Sequence, residues 1–398
     1  GVSTNIASFL GATTARMMEV GFENRPATEN EMQKMREMVK QSMEEGAMGI
    51  GSSLIYAPAD YAPTEELIEL CKVASEKGGM YISHMRNEDN LLMEALEELI
   101  TISRDADIPA EIYHLKASRE VNWHMLDSLI KRVEQVREEG LEITADIYTY
   151  NASSTGLTGV IPTWVQEGGH RAWINRMKDP KIRPRLLNDI RKQLAEQPPE
   201  GILMVGFNNP EMSKKYLAKT IAEAASTRGQ SPEEAIVDMV IEDDSRIQCI
   251  YFSMSEENIR KKIQLPWVSF CSDAGSYSDI SKSFRTHPRA FGSFIRVLGK
   301  YSRDEELISL AEAVRKLSGF PAKNLKIKDR GLLKEGYFAD VVMFDANKVD
   351  DSATFDEPLQ FSTGVAHVVV NGTPVLLNSK HTNKFTGRYV KGPGYIEQ

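Results

Sequence analysis

The sequence predicts an α/β fold, a (β/α) barrel carrying a small all-β module, and three observations point to it. Short apolar or β-branched runs alternate with helix-periodic stretches through much of the first 320 residues, the pattern of βαβ units around a parallel sheet. After about residue 320 the pattern becomes short strands with Gly turns. The length, 398 residues, suits one barrel with an appended module, because a barrel exceeds the usual domain of about 100–200 residues. A doubly wound sheet is the alternative for the same alternation.

Taken in order, residues 46–53 (GAMGIGSS) read as a strand and 63–77 as a helix. Residues 80–84 (MYISH) form the next strand, followed by an amphipathic helix over 89–105. Residues 110–114 (AEIYH) and a helix over 121–139 repeat the unit, as does the strand at 141–148 (LEITADIY). Residues 267–272 (WVSFCS) give a late strand. Between them, about 155–266 breaks the rhythm with Gly168-Gly169, a charged helical stretch at 178–197 and strand candidates at 202–207 and 247–253. It reads as an insertion between the last barrel strands, a candidate lid. The barrel is thus expected over 1–320 and the β module over 321–398, with strands near 331–345 and 365–376 and an Asn371-Gly372 hairpin.

Composition excludes several functions. Net charge is −9 and no basic run occurs, which argues against nucleic-acid binding. The cysteines, Cys71, Cys249 and Cys271, are odd in number and lack CxxC spacing, so no disulfide framework is expected. No apolar run approaches the roughly 20 residues that span a bilayer, so no membrane partner is expected either. A reducing, cytoplasmic setting follows as an expectation. The start, Gly1-Val2-Ser3, shows neither an initiator Met nor a signal peptide.

Each strand candidate ends in polar residues, and in a barrel the C-terminal strand ends form the active face. His84 and His114 end consecutive strands 30 positions apart, so adjacent strands would bring two imidazoles together as metal ligands. A hydrogen-bonded strand-end histidine is the alternative for each. Asp273, after VSFCS, is placed to take a proton from an attacking water, or else to cap a helix. Lys116 and Arg289 lie just beyond two strands and suit a grip on a substrate carboxylate; a surface ion pair is the alternative. Tyr56, Tyr148 and Ser154 are candidate hydrogen-bond donors to a carbonyl or carboxylate. His287 is expected to line the same face, His367 to be structural, and Cys71 to sit in the core.

The motifs GIGSSLIYAPADYAPTEEL, YISHMRNE, EIYHLKAS, ITADIYTYNASST, SFCSDAG, HPRAFGSFIRVLG and KDRGLLKEGYFADVVMFD resemble those of the N-acyl-D-amino-acid deacylases, or D-aminoacylases, of the amidohydrolase superfamily. The resemblance runs in order from about residue 6 to 376. It implies a (β/α)₈ barrel of the TIM type with a small β-sandwich, and zinc, one or two ions, at the barrel mouth. It implies His84 and His114 as metal ligands, Asp273 as catalytic base and then acid, and Lys116, Tyr148 and Arg289 as holders of the substrate carboxylate. Tyr56 and Ser154 match other pocket positions. The implied reaction is hydrolysis of a small-molecule N-acyl-D-amino acid to a carboxylate and a free D-amino acid.

The family's His-x-His pair on the first strand and its cysteine ligand on the second have no counterpart, because no HxH occurs and all three cysteines lie elsewhere. The chain is therefore expected to open near the third strand, at residues 6–12, without the first strands or the first half of the sandwich. Two other functions are compatible with these residues. A cyclic-amide hydrolase of the hydantoinase or dihydroorotase kind would favour ring substrates, whereas the Lys116 and Arg289 pair favours a linear substrate with a free carboxylate. A catalytically incomplete fragment or scaffold would hold no stoichiometric zinc.

Overall fold

The structure, a computed structural model, describes residues 1–277 and 285–397. Thirteen strands are present among them: β1 (Leu10–Gly11), β2 (Gly49–Ser53), β3 (Met80–His84), β4 (Ala110–Ile112), β5 (Ile143–Ile147), β6 (Ser153–Gly156), β7 (Ile202–Gly206), β8 (Gln248–Tyr251), β9 (Val268–Phe270), β10 (Val341–Phe344), β11 (Val365–Val370), β12 (Thr373–Leu377) and β13 (Lys380–His381). They form three sheets.

The largest sheet has the order β1-β2-β3-β4-β5-β9, and every pairing in it is parallel. Strand order follows chain order, as in a barrel and unlike a doubly wound sheet. The arc has two edges, β1 and β9, among the described residues. Helices Thr64–Glu76, Leu92–Asp105 and Met125–Glu138 connect successive strands and bury one stripe each, for example Leu96, Leu99 and Ile100. The helix Glu29–Glu44 begins at Thr28, which forms a capping box with Glu31, and buries Met32, Met35, Val39 and Met43 at helical spacing.

Register decides which face of the sheet carries chemistry. Paired residues in a sheet share a face, and the face alternates along each strand. Ile50, Tyr81, Ala110, Ile143, Ala145 and Val268 fall on one face through these pairings, and all are buried. The opposite face takes Ser53, His84, Glu111, Thr144, Asp146 and Ser269. The apolar face packs on helices, so the polar face lines the interior.

Residues 153–251 supply the three-stranded antiparallel sheet β6-β8-β7 and helices of their own. This insertion has a separate core that includes Leu157, Trp173, Met177, Leu186, Ile190 and Val240. Two of its helices start with capping boxes, Thr220 with Glu223 and Ser231 with Glu234. The C-terminal strands β10-β11-β12-β13 form an antiparallel sheet. Its β11–β12 hairpin turns at Asn371 (φ 51°) and Gly372 (φ 81°), the conformation that Asn-Gly favours. The earlier part of the expected 331–345 strand is turn, and only Val341–Phe344 pairs. Pairing needs a partner strand, and β11 reaches only that far.

Candidate metal centre

His84 is the last residue of β3, whereas His114 lies two residues beyond β4 rather than ending it. His114 has φ 42°, a left-handed conformation uncommon for a residue with a Cβ. That turn is held by Asp146 of β5, whose Oδ1 accepts from the His114 N–H at 2.5 Å. Its carbonyl accepts from the Leu115 N–H at 2.9 Å. The two imidazole rings meet edge to face with centroids 4.4 Å apart.

A third donor joins them. One ligand atom each of His84, Glu88 and His114 lie within 4.8 Å of one another, and all three residues are largely buried. Glu88 Oε2 stands 3.4 Å from His84 Nε2, and Oε1 stands 3.2 Å from His114 Nδ1. Lys116 Nζ completes the knot at 2.7 Å from Glu88 Oε1 and 2.6 Å from His114 Nδ1. Burial alone would raise the Glu88 carboxyl, but His84, Lys116 and His114 around it hold it below the usual carboxylate range. Burial pushes His84 down to about 3, so its ring is neutral at neutral pH and free to use a lone pair. Two imidazoles and one carboxylate form a donor set that zinc accepts. His84 Nε2 is moreover buried without a hydrogen-bond partner, an expensive arrangement unless a ligand takes it up. The residues fit the ion.

Asp273 does not join this cluster. It lies beyond β9 with φ 46° and pairs with Arg289 Nη1 at 2.7 Å. Arg289 is nearly buried; its Nη2 donates to the Ser154 carbonyl at 3.3 Å, and its Nε has no hydrogen-bond partner. Its guanidinium lies 4.6 Å from the ring centre of Tyr148, and Lys116 Nζ lies 5.8 Å from the same ring. Tyr148 thus sits between the two cations. Its hydroxyl meets Met254 Sδ at 3.3 Å.

A cavity of about 550 Å³ opens over these groups, and His84, Glu88, His114, Lys116, Tyr148 and Asp273 all line it. Tyr56 lines it too, with its ring 5.3 Å from His84 and its hydroxyl 2.8 Å from Thr155 Oγ1. Ser154 is on the wall, but its hydroxyl is engaged with the Cys249 carbonyl at 2.9 Å and with Gln248 Nε2 at 3.0 Å, both on β8. The far wall comes from the insertion, including Gln193 and Glu196. His287 lies behind the cavity rather than on it: Nε2–H donates to the Ala152 carbonyl and Nδ1 accepts from the Arg289 N–H. Glu88 is a donor that the sequence candidates do not include. Its signal is a carboxylate four residues after a strand-end histidine, in HMRNE.

Side chains able to hold a metal, gathered at the C-terminal ends of parallel β/α strands, fit a metal-dependent hydrolase of the amidohydrolase class. Residues 7–376 match the model of the Amidohydrolase family, and the chain belongs to that family. It is 31% identical over 386 residues to a D-aminoacylase of Alcaligenes xylosoxydans xylosoxydans, covering 97% of this chain and 70% of the relative. It is 30% identical over 371 residues to an N-acyl-D-glutamate deacylase of the same organism, covering 93% and 66%. The crystal structure of N-acyl-D-glutamate deacylase from Bordetella bronchiseptica, complexed with zinc and a phosphonate inhibitor, superposes with a TM-score of 0.80 at 28% identity, over 97% of this chain and 72% of that one. A D-hydantoinase from a Bacillus species shares the fold alone, with a TM-score of 0.51 at 12% identity over 94% of this chain and 73% of that one. No helix among the described residues is long and apolar enough to cross a membrane.

Proposed function

We propose that the chain hydrolyses the amide bond of N-acyl-D-amino acids with the aid of zinc, releasing a carboxylate and a free D-amino acid. One observation carries this reading: the His84, Glu88 and His114 donor set shares a cavity with Lys116, Tyr148 and Asp273, and Arg289 backs that wall through Asp273 and the Tyr148 ring. A donor set beside paired cations suits an amide whose neighbouring group is a carboxylate. The deacylase names of the relatives add the D configuration.

His84, Glu88 and His114 would hold the ion, which when bound polarises the scissile carbonyl and makes a water more acidic. Lys116 and Arg289 grip the substrate carboxylate, and Arg289 can do so bidentately. Asp273 takes the proton of the attacking water and passes it to the leaving nitrogen. Arg289 links the two tasks, because the carboxylate it binds competes with Asp273 for the same guanidinium. The insertion closes the far wall and limits bulk water.

The test is turnover by zinc-loaded protein of acetyl-D-glutamate, acetyl-D-aspartate and acetyl-D-leucine, beside their L enantiomers and a hydantoin. Faster release from the D substrates is expected. Preference for the hydantoin, or no turnover of any D substrate with zinc bound, overturns the reading.

A further inference from the structure

We propose that Lys262 is a positioning residue for this site: it pins the backbone between His114 and Lys116, so that imidazole and ammonium point together into the cavity. The proposal rests on the function above for its kinetic arm only.

The turn after β4 has little intrinsic preference for its shape, since His114 occupies the left-handed region. Its middle residue, Leu115, is fixed at three points. The side chain is buried in the core, the N–H donates to the Asp146 carbonyl at 2.9 Å, and the carbonyl accepts from Lys262 Nζ at 2.6 Å. With Leu115 directed into the core, His114 and Lys116 emerge on the other side, their Nδ1 and Nζ atoms 2.6 Å apart. Releasing the Leu115 carbonyl would let both side chains drift, His114 away from His84 and Glu88, and Lys116 away from Tyr148.

Packing does not account for a lysine here. Lys262 belongs to the helix Glu256–Gln264 and is only 1% exposed, yet no carboxylate among the described residues pairs with it. Burial pushes its amine down to about 7, and methionine would fill much the same volume without burying a polar head. What the amine adds is its bond to Leu115. Lys316 offers an internal comparison. It is equally buried and donates to the carbonyls of Ile263 and Leu265, each at 2.5 Å, but contacts no residue of the site.

The experiment compares Lys262→Met, Lys316→Met and the unmodified chain. Zinc affinity is measured by competition with a chromophoric chelator, KM and kcat with the fastest N-acyl-D-amino acid, and the thermal midpoint of the metal-free protein by circular dichroism. Lys262→Met is expected to weaken zinc roughly tenfold or more, the range seen for partners that orient a ligand, and to raise KM. Its thermal midpoint should be kept, and Lys316→Met should leave zinc and KM unchanged. Should Lys262→Met not fold, Lys262→Gln, whose shorter amide falls short of Leu115, is read in its place. Zinc affinity and KM within about twofold of the unmodified chain overturn the proposal, as do equal losses in the two methionine variants. If the unmodified chain turns over no D substrate, the proposed function fails, while the zinc measurement still decides the role of Lys262.

Discussion

At the scale of single residues, the site is an economy of few charges in a small volume. Glu88 faces two imidazoles and an ammonium, so removing its charge leaves Lys116 buried without a counter-ion. His114→Ala should remove a ligand and several kcal/mol of transition-state stabilisation, roughly a thousandfold in kcat/KM, with zinc lost on dialysis as the direct check. Arg289→Lys should act differently. A charge-assisted hydrogen bond contributes about 1.5–3 kcal/mol, so loss of the bidentate fork should raise KM by roughly 10- to 100-fold while kcat changes less. Equal falls in kcat and kcat/KM would instead place Arg289 in the transition state alone.

His287 gives a pH dependence whose sign can be worked out. Burial first, and repulsion from Arg289 second, push its pKa well below the ordinary histidine value, so the native ring stays neutral. The unfolded chain takes up a proton near pH 6.5, so it binds more protons than the native state below that pH. Stability from this group is therefore present above about pH 6.5 and is lost as the pH falls, by up to about 1.4 kcal/mol per pH unit. Urea unfolding at pH 5, 6, 7 and 8 should show a shallower acid loss for His287→Gln than for the unmodified chain.

At the scale of elements, the site depends on how closely β2 and β3 pair and on how firmly the insertion is packed. A Cβ on Gly49 would lie 1.9 Å from the Met80 carbonyl oxygen, a backbone atom with nowhere to go. Gly49→Ala should cost about 3 kcal/mol or more, seen as a lower urea midpoint at unchanged slope. The helix Arg183–Glu196 buries Leu186 and Ile190 and brings Gln193 and Glu196, in its last turn, to the cavity. Leu186→Ala should cost about 2–5 kcal/mol within the insertion core and raise KM by loosening the far wall. Unchanged KM at reduced stability would separate the wall from substrate binding.

At the scale of the whole molecule, the barrel arc and the insertion meet around the cavity and also away from it, where the Gly168 N–H donates to the Phe22 carbonyl. The cavity lies between them, so substrate contacts come from two independently packed cores. An ion held by His84, Glu88 and His114 would tie the end of β3 to the turn after β4, and its binding would favour the folded state alone. Zinc at about 100 times its dissociation constant should therefore add about 2.7 kcal/mol, read as a higher thermal midpoint that chelator reverses. A midpoint insensitive to zinc would count against the His84, Glu88 and His114 centre.

The amino-acid sequence alone determined the parallel α/β architecture, the insertion rhythm and the Asn371-Gly372 hairpin, because each is a local pattern of period, turn chemistry or spacing. It also marked His84, His114, Asp273, Lys116 and Arg289, since polar residues closing apolar strands stand out along a chain. Only the tertiary structure decided how they group. It placed Glu88 between the histidines, kept Asp273 on Arg289, tied the Ser154 hydroxyl into the β6–β8 ladder, and ran Lys262 back to Leu115 across 147 positions. Such groupings depend on register and on the path of distant segments, and no local period in the chain encodes them.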